Sequence, residues 1–453
     1  MADVIAAIAT GNRPSAIGIL RLSGDGAIEV SAKVFLPISG RSLTEAPNRK
    51  LVLGDLLDGQ GRVIDRGLAV CTRGPHSYTG EDTVELHCHG SPAVLAAGLT
   101  ALFAAGARQA GPGEFTKRAF LNGRMDLTQA EAVVDLIDAE TADAAANAAG
   151  QVGGALLRRL TPVCDGLLDL LSHFGAVLDY PDEDLDPFLL TDCRRTLSDG
   201  LSVLTALLDT CRRGQVLRRG IRAAILGRPN VGKSSLLNAL AGYERVIVTE
   251  IPGTTRDTVE ETVRVGRHLL RLLDTAGIRE TGDAIERMGV ARAEAAAKEA
   301  DLAILVCDAS QPLTDEDSRA ILAAQSAPAA LCVLNKSDLP AVLTADALPF
   351  SVTVPLSART GDGLDKLEAA LDGLFADDTP CDGSILTNAR QTGAVRRAAD
   401  SLRAALDALD TGMTPDAVLC DAEAALEALG EVTGRTVRED VVNRIFERFC
   451  VGK

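Results

Sequence analysis

The sequence predicts a multidomain fold: an α+β N-terminal domain, an all-α helical domain, and an α/β domain inserted into the helical one. Three patterns carry that expectation. Residues 1–118 hold short apolar runs punctuated by Gly and Pro. Residues 216–378 alternate strand-like and helix-like runs, which argues a parallel sheet. Residues 119–215 and 379–453 share a helical apolar period, so the simplest architecture builds one helical domain from both flanks of the α/β insertion. A chain of 453 residues also exceeds what one core serves.

In the first domain, residues 4–9 and 17–24 read as strands, followed by further short runs at 51–57, 67–71 and 83–87. Residues 74–82 form a loop, and 93–105 read as a helix. His87 and His89 lie two apart, on one face of a strand. A metal site needs three or four ligands and no others pair with them, so a structural role is expected. Asp126-Leu127-Thr128-Gln129 has the form of a capping box, and Ala130, Val133, Val134 and Ile137 follow at helical spacing. The Ala-rich stretch 139–149 suits tight helix packing or an oligomer face, and packing is the expected use. Pro162 is expected to interrupt, with Leu167, Leu168, Leu171 and Phe174 continuing beyond it. An acidic loop at 180–187 precedes an amphipathic helix at 191–213, and helices are expected again at 388–409, 415–429 and 437–449.

Composition narrows the class. Hydrophobic content of 46% and charged content of 24% are globular values. Aromatics are 3% with no Trp, so the cores must be aliphatic and Ala-rich. No apolar run reaches the roughly 18 residues of a membrane span, and the start lacks a basic, signal-like region. Ten Cys scattered singly read as reduced thiols, so a cytoplasmic protein without a membrane is expected. A net charge of −17 excludes bulk attraction to nucleic acid. An RNA partner would be held by a second protein or by local patches. Candidates are Arg158-Arg159, Arg194-Arg195, and Arg212-Arg213 with Arg218-Arg219, although each alone reads as a solvated helix face.

The chemistry concentrates at Gly227-Arg228-Pro229-Asn230-Val231-Gly232-Lys233-Ser234-Ser235, of the form G-x-x-x-x-G-K-[ST]. An apolar run precedes it and a helical run follows. The glycines let backbone N–H groups close around phosphate oxygens at a helix N-terminus. Lys233 would reach the β- and γ-phosphates, and Ser234 would ligate Mg²⁺. Asp274-Thr275-Ala276-Gly277 ends a strand, placing a carboxylate behind the Mg²⁺ and a backbone N–H near the γ-phosphate. Asn335-Lys336-Ser337-Asp338 ends another. Asp338 can accept from guanine N1–H and the 2-amino group, a donor pair that adenine lacks. Ser357-Ala358-Arg359 adds a backbone N–H for guanine O6. Three motifs in this order select GTP over ATP and make the insertion a Ras-like P-loop GTPase domain. Between the first two lies Thr249-Glu250-Ile251-Pro252-Gly253-Thr254-Thr255, the expected first switch, with Thr255 as second Mg²⁺ ligand. Ile278 stands where Ras-like enzymes keep the Gln that orients water, so that group must come from elsewhere. Asp283 and Glu286 are both candidates by charge.

Taken whole, the chain resembles the tRNA-modification GTPase MnmE (TrmE) family. The resemblance rests on Tyr78-Thr79-Gly80-Glu81-Asp82, on the stretch from Gly113-Glu114-Phe115 to Asn122-Gly123, on Ala130-Glu131-Ala132, on Gly253-Thr254-Thr255-Arg256-Asp257, and on the terminal Phe449-Cys450-Val451-Gly452-Lys453. It implies a homodimer whose N-terminal domain dimerises and binds a one-carbon carrier, 5-formyl-tetrahydrofolate or 5,10-methylene-tetrahydrofolate. Working with an FAD-dependent partner, MnmG, in a heterotetramer or larger complex, such a protein adds an aminomethyl or carboxymethylaminomethyl group to C5 of the wobble uridine in certain tRNAs. The implied folate contacts are Arg21, Glu85, Arg124 and Lys453, with Arg124 where the family often has Lys. The family further implies K⁺ beside the phosphates, held by Asn230, Thr249, Ile251 and Thr254, and closure of that loop would pair two G domains. Glu286 then matches the water-orienting position and is favoured over Asp283. Thr10-Gly11-Asn12-Arg13-Pro14-Ser15-Ala16 departs from the family's glycine-rich N-terminal stretch, and Pro252 would stiffen the K⁺ loop. Cys450 is either a nucleophile or a small thiol that seats the tail. A ribosome-associated or assembly-type regulatory GTPase is the alternative reading. It would carry a basic RNA-binding module, and the flanks here are acidic to neutral.

Overall fold

The computed structural model describes residues 3–11, 13–179, 190–243, 261–273, 295–375, 380–447 and 449–452. The chain forms two compact units, one of Met1–Ile137, Ala148–Leu208 and Ala389–Lys453, the other of Asp138–Asn147 and Asp209–Asn388.

The first unit opens with β1 (Ile5–Ile8), β2 (Ser15–Ser23), α1 (Ala27–Ala32), β3 (Phe35–Pro37), β4 (Leu51–Leu57), β5 (Val63–Thr72), β6 (Thr83–Gly90), α2 (Pro92–Ala105) and β7 (Arg108–Gln109). These strands make one seven-stranded sheet in the order β3-β4-β5-β6-β2-β1-β7. Alternation sets its faces. Leu20, Leu22, Leu56 and Leu86 are buried in one cluster with Leu95, Ala101 and Leu102 of α2. Burial of each of these leucines contributes about 1.5–3 kcal/mol. The register opposes Arg21 to Glu85, so the residues between the buried leucines bring these charges together across β2 and β6.

Helices follow along the chain: α3 (Glu114–Leu121), α4 (Leu127–Ile137), α5 (Ala142–Val152), which begins in the second unit and ends in the first, α6 (Ala155–Asp179), α7 (Leu190–Asp209) and, in the second unit, α8 (Cys211–Arg219). The capping box at α4 is formed. Asp126 Oδ1 accepts from the Gln129 amide at 2.9 Å, and Gln129 Oε1 accepts from the Asp126 amide at 3.0 Å. Pro162 does not interrupt: it lies inside the 25-residue α6. One lost rung is outweighed by a buried stripe of Leu156, Leu160, Val163, Leu167, Leu170 and Phe174. The single helix expected at 191–213 is two, α7 and α8, parted at Thr210, whose Oγ1 accepts from the Leu386 amide at 3.1 Å.

The second unit contains β8 (Ile221–Leu226), α9 (Lys233–Tyr243), β9 (Glu261–Val265), β10 (His268–Leu272), β11 (Leu302–Asp308), α10 (Asp315–Ala324), β12 (Ala330–Asn335), β13 (Thr353–Pro355) and α11 (Leu364–Phe375). Its sheet runs β13-β12-β11-β8-β10-β9, parallel except for β9. Every residue of β11 is buried, as a central parallel strand requires. Leu302, Ile304 and Val306 pack with Leu236 and Leu240, while Ala303, Leu305 and Cys307 pack with Ile321. Ligands of such sheets bind beyond the carboxyl ends of the strands. The chain then returns to the first unit as α12 (Ala389–Asp410), α13 (Pro415–Thr433) and α14 (Glu439–Phe446). A buried Glu131 joins α4 to α12 by accepting from Arg390 Nη2 at 2.7 Å and Gln391 Nε2 at 2.8 Å. Among the described residues no helix is long and apolar enough to cross a membrane.

Candidate functional site

Strand ends deliver the phosphate loop and everything that braces it. β8 ends at Leu226 and α9 begins at Lys233, so residues 227–232 turn between them. Two glycines are sterically required. At Gly227 (φ 143°) a Cβ would lie 2.4 Å from the Val306 carbonyl oxygen, and at Gly232 (φ 103°) 2.1 Å from Asn335 Nδ2. Asn230 takes the left-handed region at φ 64°. The half-buried Lys233 curls back, and its Nζ donates to the Gly227 and Arg228 carbonyls at 2.7 and 2.8 Å. Burial lowers its pKa. An ammonium held by its own loop, with no carboxylate bonded to it among the described residues, suits an incoming polyphosphate.

The residues expected to read guanine sit beside this loop. Asn335 Nδ2 donates to the Val231 carbonyl at 2.8 Å. Lys336, at φ 63°, donates from Nζ to the Asn230 carbonyl at 3.2 Å and to Asp308 Oδ2 at 2.6 Å. Asp338 accepts from Ser357 Oγ at 2.7 Å and from Arg359 Nη2 at 2.6 Å. The Ser357 hydrogen bond, more than the opposed effect of burial, lowers the Asp338 pKa. One refinement emerges within Ser357-Ala358-Arg359: the Ala358 amide already donates to Asn335 Oδ1 at 3.0 Å.

Sequence reasoning missed two braces. Asp308 ends the apolar run of β11, and a carboxylate at a strand's carboxyl end was the available signal. Arg228, inside the loop, reaches Asp317 Oδ2 at 3.1 Å and donates from Nη2 to Gln311 Oε1 at 2.8 Å; nothing local marks those partners. Ser234 and Ser235 open α9 at its exposed side. Thr249, Glu250, Ile251, Pro252, Gly253, Thr254, Thr255, Asp274, Thr275, Ala276, Gly277, Asp283, Glu286 and Lys453 lie outside the described residues.

In the first unit the structure brings Arg21, Glu85 and the tail together. Arg21 Nε donates to Glu85 Oε1 at 2.9 Å and Nη1 to the Gly452 carbonyl at 3.4 Å, while its guanidinium stands 5.9 and 5.8 Å from the rings of Tyr78 and Phe115. The tail is seated by a bridge between Pro112 and Val451 and by the Gly113 amide donating to the Cys450 carbonyl at 3.3 Å. The Cys450 residue itself is exposed. Arg124 lines a cavity of about 660 Å³ with Asp25, His76, Glu81 and Asn122, and its Nε donates to the Ser77 carbonyl at 3.0 Å. Arg118, absent from the expected site, is a buried hub contacting Asp3, Glu81 and Glu114 at 2.8, 3.1 and 3.0 Å. His87 and His89 do not converge: His87 Nε2 lies 3.4 Å from Glu85, and His89 Nδ1 2.8 Å from Asp65.

Two family profiles match along the chain, the GTP-binding protein TrmE N-terminus over residues 4–124 and the MnmE helical domain over residues 127–450. The chain belongs to the MnmE family. Relatives named tRNA modification GTPase MnmE from Roseiflexus sp. (strain RS-1) and Heliobacterium modesticaldum are each 44% identical, over 100% of this chain and 99% of their own. Among solved structures, the G domain of T. maritima FeoB matches 35% of this chain and 99% of its own, at 24% identity and a TM-score of 0.26.

Proposed function

We propose that this chain is the GTP-hydrolysing subunit of a complex that builds an aminomethyl or carboxymethylaminomethyl group on C5 of the wobble uridine of certain tRNAs, with a tetrahydrofolate as one-carbon donor. The coarser part needs no proposal: the chain is a tRNA modification GTPase of the MnmE family and binds GTP. The observation that carries the GTP-hydrolysing part of this reading is Lys233, whose half-buried ammonium is held on the carbonyls of a loop that Asn335 and Lys336 brace from the expected guanine-reading strand end. Phosphate cradle and base reader are one hydrogen-bonded body.

On this reading Lys233 neutralises charge on the β- and γ-phosphates, and Asp338, held ionised, reads guanine. Mg²⁺ would be held by Ser234 and Thr255; the Ser234 hydroxyl at the start of α9 is a hard oxygen donor suited to it. K⁺ would be held by Asn230, Thr249, Ile251 and Thr254, and the left-handed Asn230 presents an exposed side chain at the loop. Bound there, K⁺ would supply positive charge where other GTPases insert an arginine. Glu286 would orient the attacking water. Arg21, Glu85, Arg124 and Lys453 form the proposed folate contacts, supported by the clustering of Arg21, Glu85 and the tail. The functional division is proposed as residues 1–118 for folate and dimerisation, 216–378 for GTP, and 119–215 with 379–453 as the helical body. A homodimer, an MnmG partner and a cytoplasmic location complete the proposal. The assembly-factor alternative loses ground because the family match includes the N-terminal segment.

Two measurements test it. GTP turnover is expected to be faster in K⁺ than in Na⁺ buffers, and equal rates would remove the K⁺ site. Nucleoside mass spectrometry of tRNA from a deletion strain is expected to show loss of the C5 wobble modification; an unchanged profile would overturn the function.

A further inference from the structure

The chain passes between its two units at residues 137/138, 147/148, 208/209 and 388/389. One residue of the second unit sits at such a passage and grips another. Asn147 is 1% exposed, although it lies in an Ala-rich helix. Its Oδ1 accepts from the Gly383 amide at 3.2 Å and from the Ile385 amide at 3.3 Å, and its Nδ2 donates to the Ile385 carbonyl at 3.3 Å. A carboxamide bonded to both the N–H and the C=O of one residue does what a neighbouring strand would do for an extended segment. Two further contacts, also within the second unit, fix the same segment. Thr210 Oγ1 accepts from the Leu386 amide at 3.1 Å, and a Cβ at Gly214 would lie 1.8 Å from the Leu386 carbonyl oxygen. Ser384, Ile385 and Leu386 are accordingly buried. The stretch that leaves the α/β domain is therefore no loose linker. It is a clamped strap that ends just before α12, and Asn147 itself immediately precedes the passage at 147/148.

We infer that Asn147 is a positioning residue of this GTPase. It ties two covalent exits from the nucleotide-binding unit, the one within α5 and the one into α12, so that a displacement of that unit reaches both exits at once. Without it the exits move independently, and nucleotide state no longer reaches α12. Only the downstream output, tRNA modification, rests on the function proposed above; the joint itself does not.

The test uses the full-length chain and two variants, Asn147→Ala and Thr210→Val, the latter removing one clamp bond at nearly constant shape. Amide hydrogen exchange is followed with GDP and with a non-hydrolysable GTP analogue. Wild type is expected to show a nucleotide-dependent difference in the first turn of α12. In Asn147→Ala, exchange at Ile385 should rise on the order of tenfold. The α12 difference should disappear while kcat and KM for GTP stay within about twofold. Thr210→Val should shrink the difference without abolishing it, and it carries the test if the alanine variant fails to fold. Persistence of the α12 difference in both variants overturns the inference, as does its absence from wild type or a parallel fall in GTP turnover. The tRNA assay separates the two proposals. Wild type that modifies no tRNA sinks the proposed function and leaves the exchange result to decide the joint, whereas normal modification by an exchange-altered Asn147→Ala overturns the coupling.

Discussion

The phosphate loop and the charged cluster around Arg21 hold their cations by the same means and are built in opposite ways. Lys233 is held by carbonyl oxygens five and six residues away. Arg21 is held by Glu85, by the Gly452 carbonyl 431 residues along the chain, and by the rings of Tyr78 and Phe115. In the first case a strand, a turn and a helix N-terminus place the cation, and the sheet only fixes where the turn stands. In the second, the β2–β6 register, the loop after β5, the start of α3 and the seated tail must all be in place first. A local device should fail without disturbing the fold. A non-local one should fail together with it.

Substitution of Lys233 is the largest expected effect and the cleanest break of that comparison. Lys233→Ala should lower GTP turnover on the order of 10²–10³-fold, the loss seen when one preorganised charge-stabilising donor is removed. The midpoint of thermal unfolding should stay close to wild type, because the side chain supports only its own loop. A large drop in that midpoint would show that the loop is a structural element and not a local one.

Arg118→Ala probes the other side. Its buried guanidinium contacts Asp3, Glu81 and Glu114; Asp3 and Glu114 keep Arg108, so its loss strands mainly Glu81 and costs about 1–3 kcal/mol. Calorimetry should show the first unit melting earlier while GTP turnover persists. Glu114 gives the matching pH signature. Burial raises its pKa, but hydrogen bonds from Arg108, the Gly111 amide and Arg118 outweigh that and hold it at about 2, against an ordinary 4.5. Its contribution to stability is therefore complete above about 4.5 and is lost as the pH falls toward 2. Glu114→Gln should lower stability at neutral pH and flatten the acid side of the stability profile. An unchanged acid slope would remove Glu114 from the hub.

The same contrast explains what could be read in advance. The α/β domain, its glycine turn and the strand end proposed to read guanine are periodic or contiguous, so residue pattern alone locates them. The capping box at Asp126 and Gln129 is equally local and forms as expected. Pro162 misleads because a buried stripe over a 25-residue helix outweighs one missing hydrogen bond. The break at Thr210 is invisible locally because its partner is the Leu386 amide, 176 residues away. Arg21 and Glu85 come forward only through family resemblance, since neither neighbours the other in sequence and no period connects them. Arg118 belongs to a recognised motif stretch, yet its three carboxylates are contributed by residues 3, 81 and 114.

Arg359 yields the smallest predicted effect and sharpens the comparison at its finest grain. Its guanidinium reaches Asp338 Oδ2 at 2.6 Å, but the Arg359 side chain is 78% exposed. Such pairs are screened by water and salt and change an equilibrium by less than about fivefold. Asp338 keeps the Ser357 hydroxyl as its other partner, so its ionisation and orientation survive. Arg359→Ala should therefore change GDP affinity by less than about fivefold, and the change should vanish at high salt. Ser357→Ala, which removes the bond that most lowers the Asp338 pKa, should cost more and resist salt. Titration of both variants with a fluorescent GDP at low and high ionic strength reads the difference. If Arg359→Ala proves the more damaging, guanine recognition depends on an exposed arginine, and the site is less local than its motif suggests.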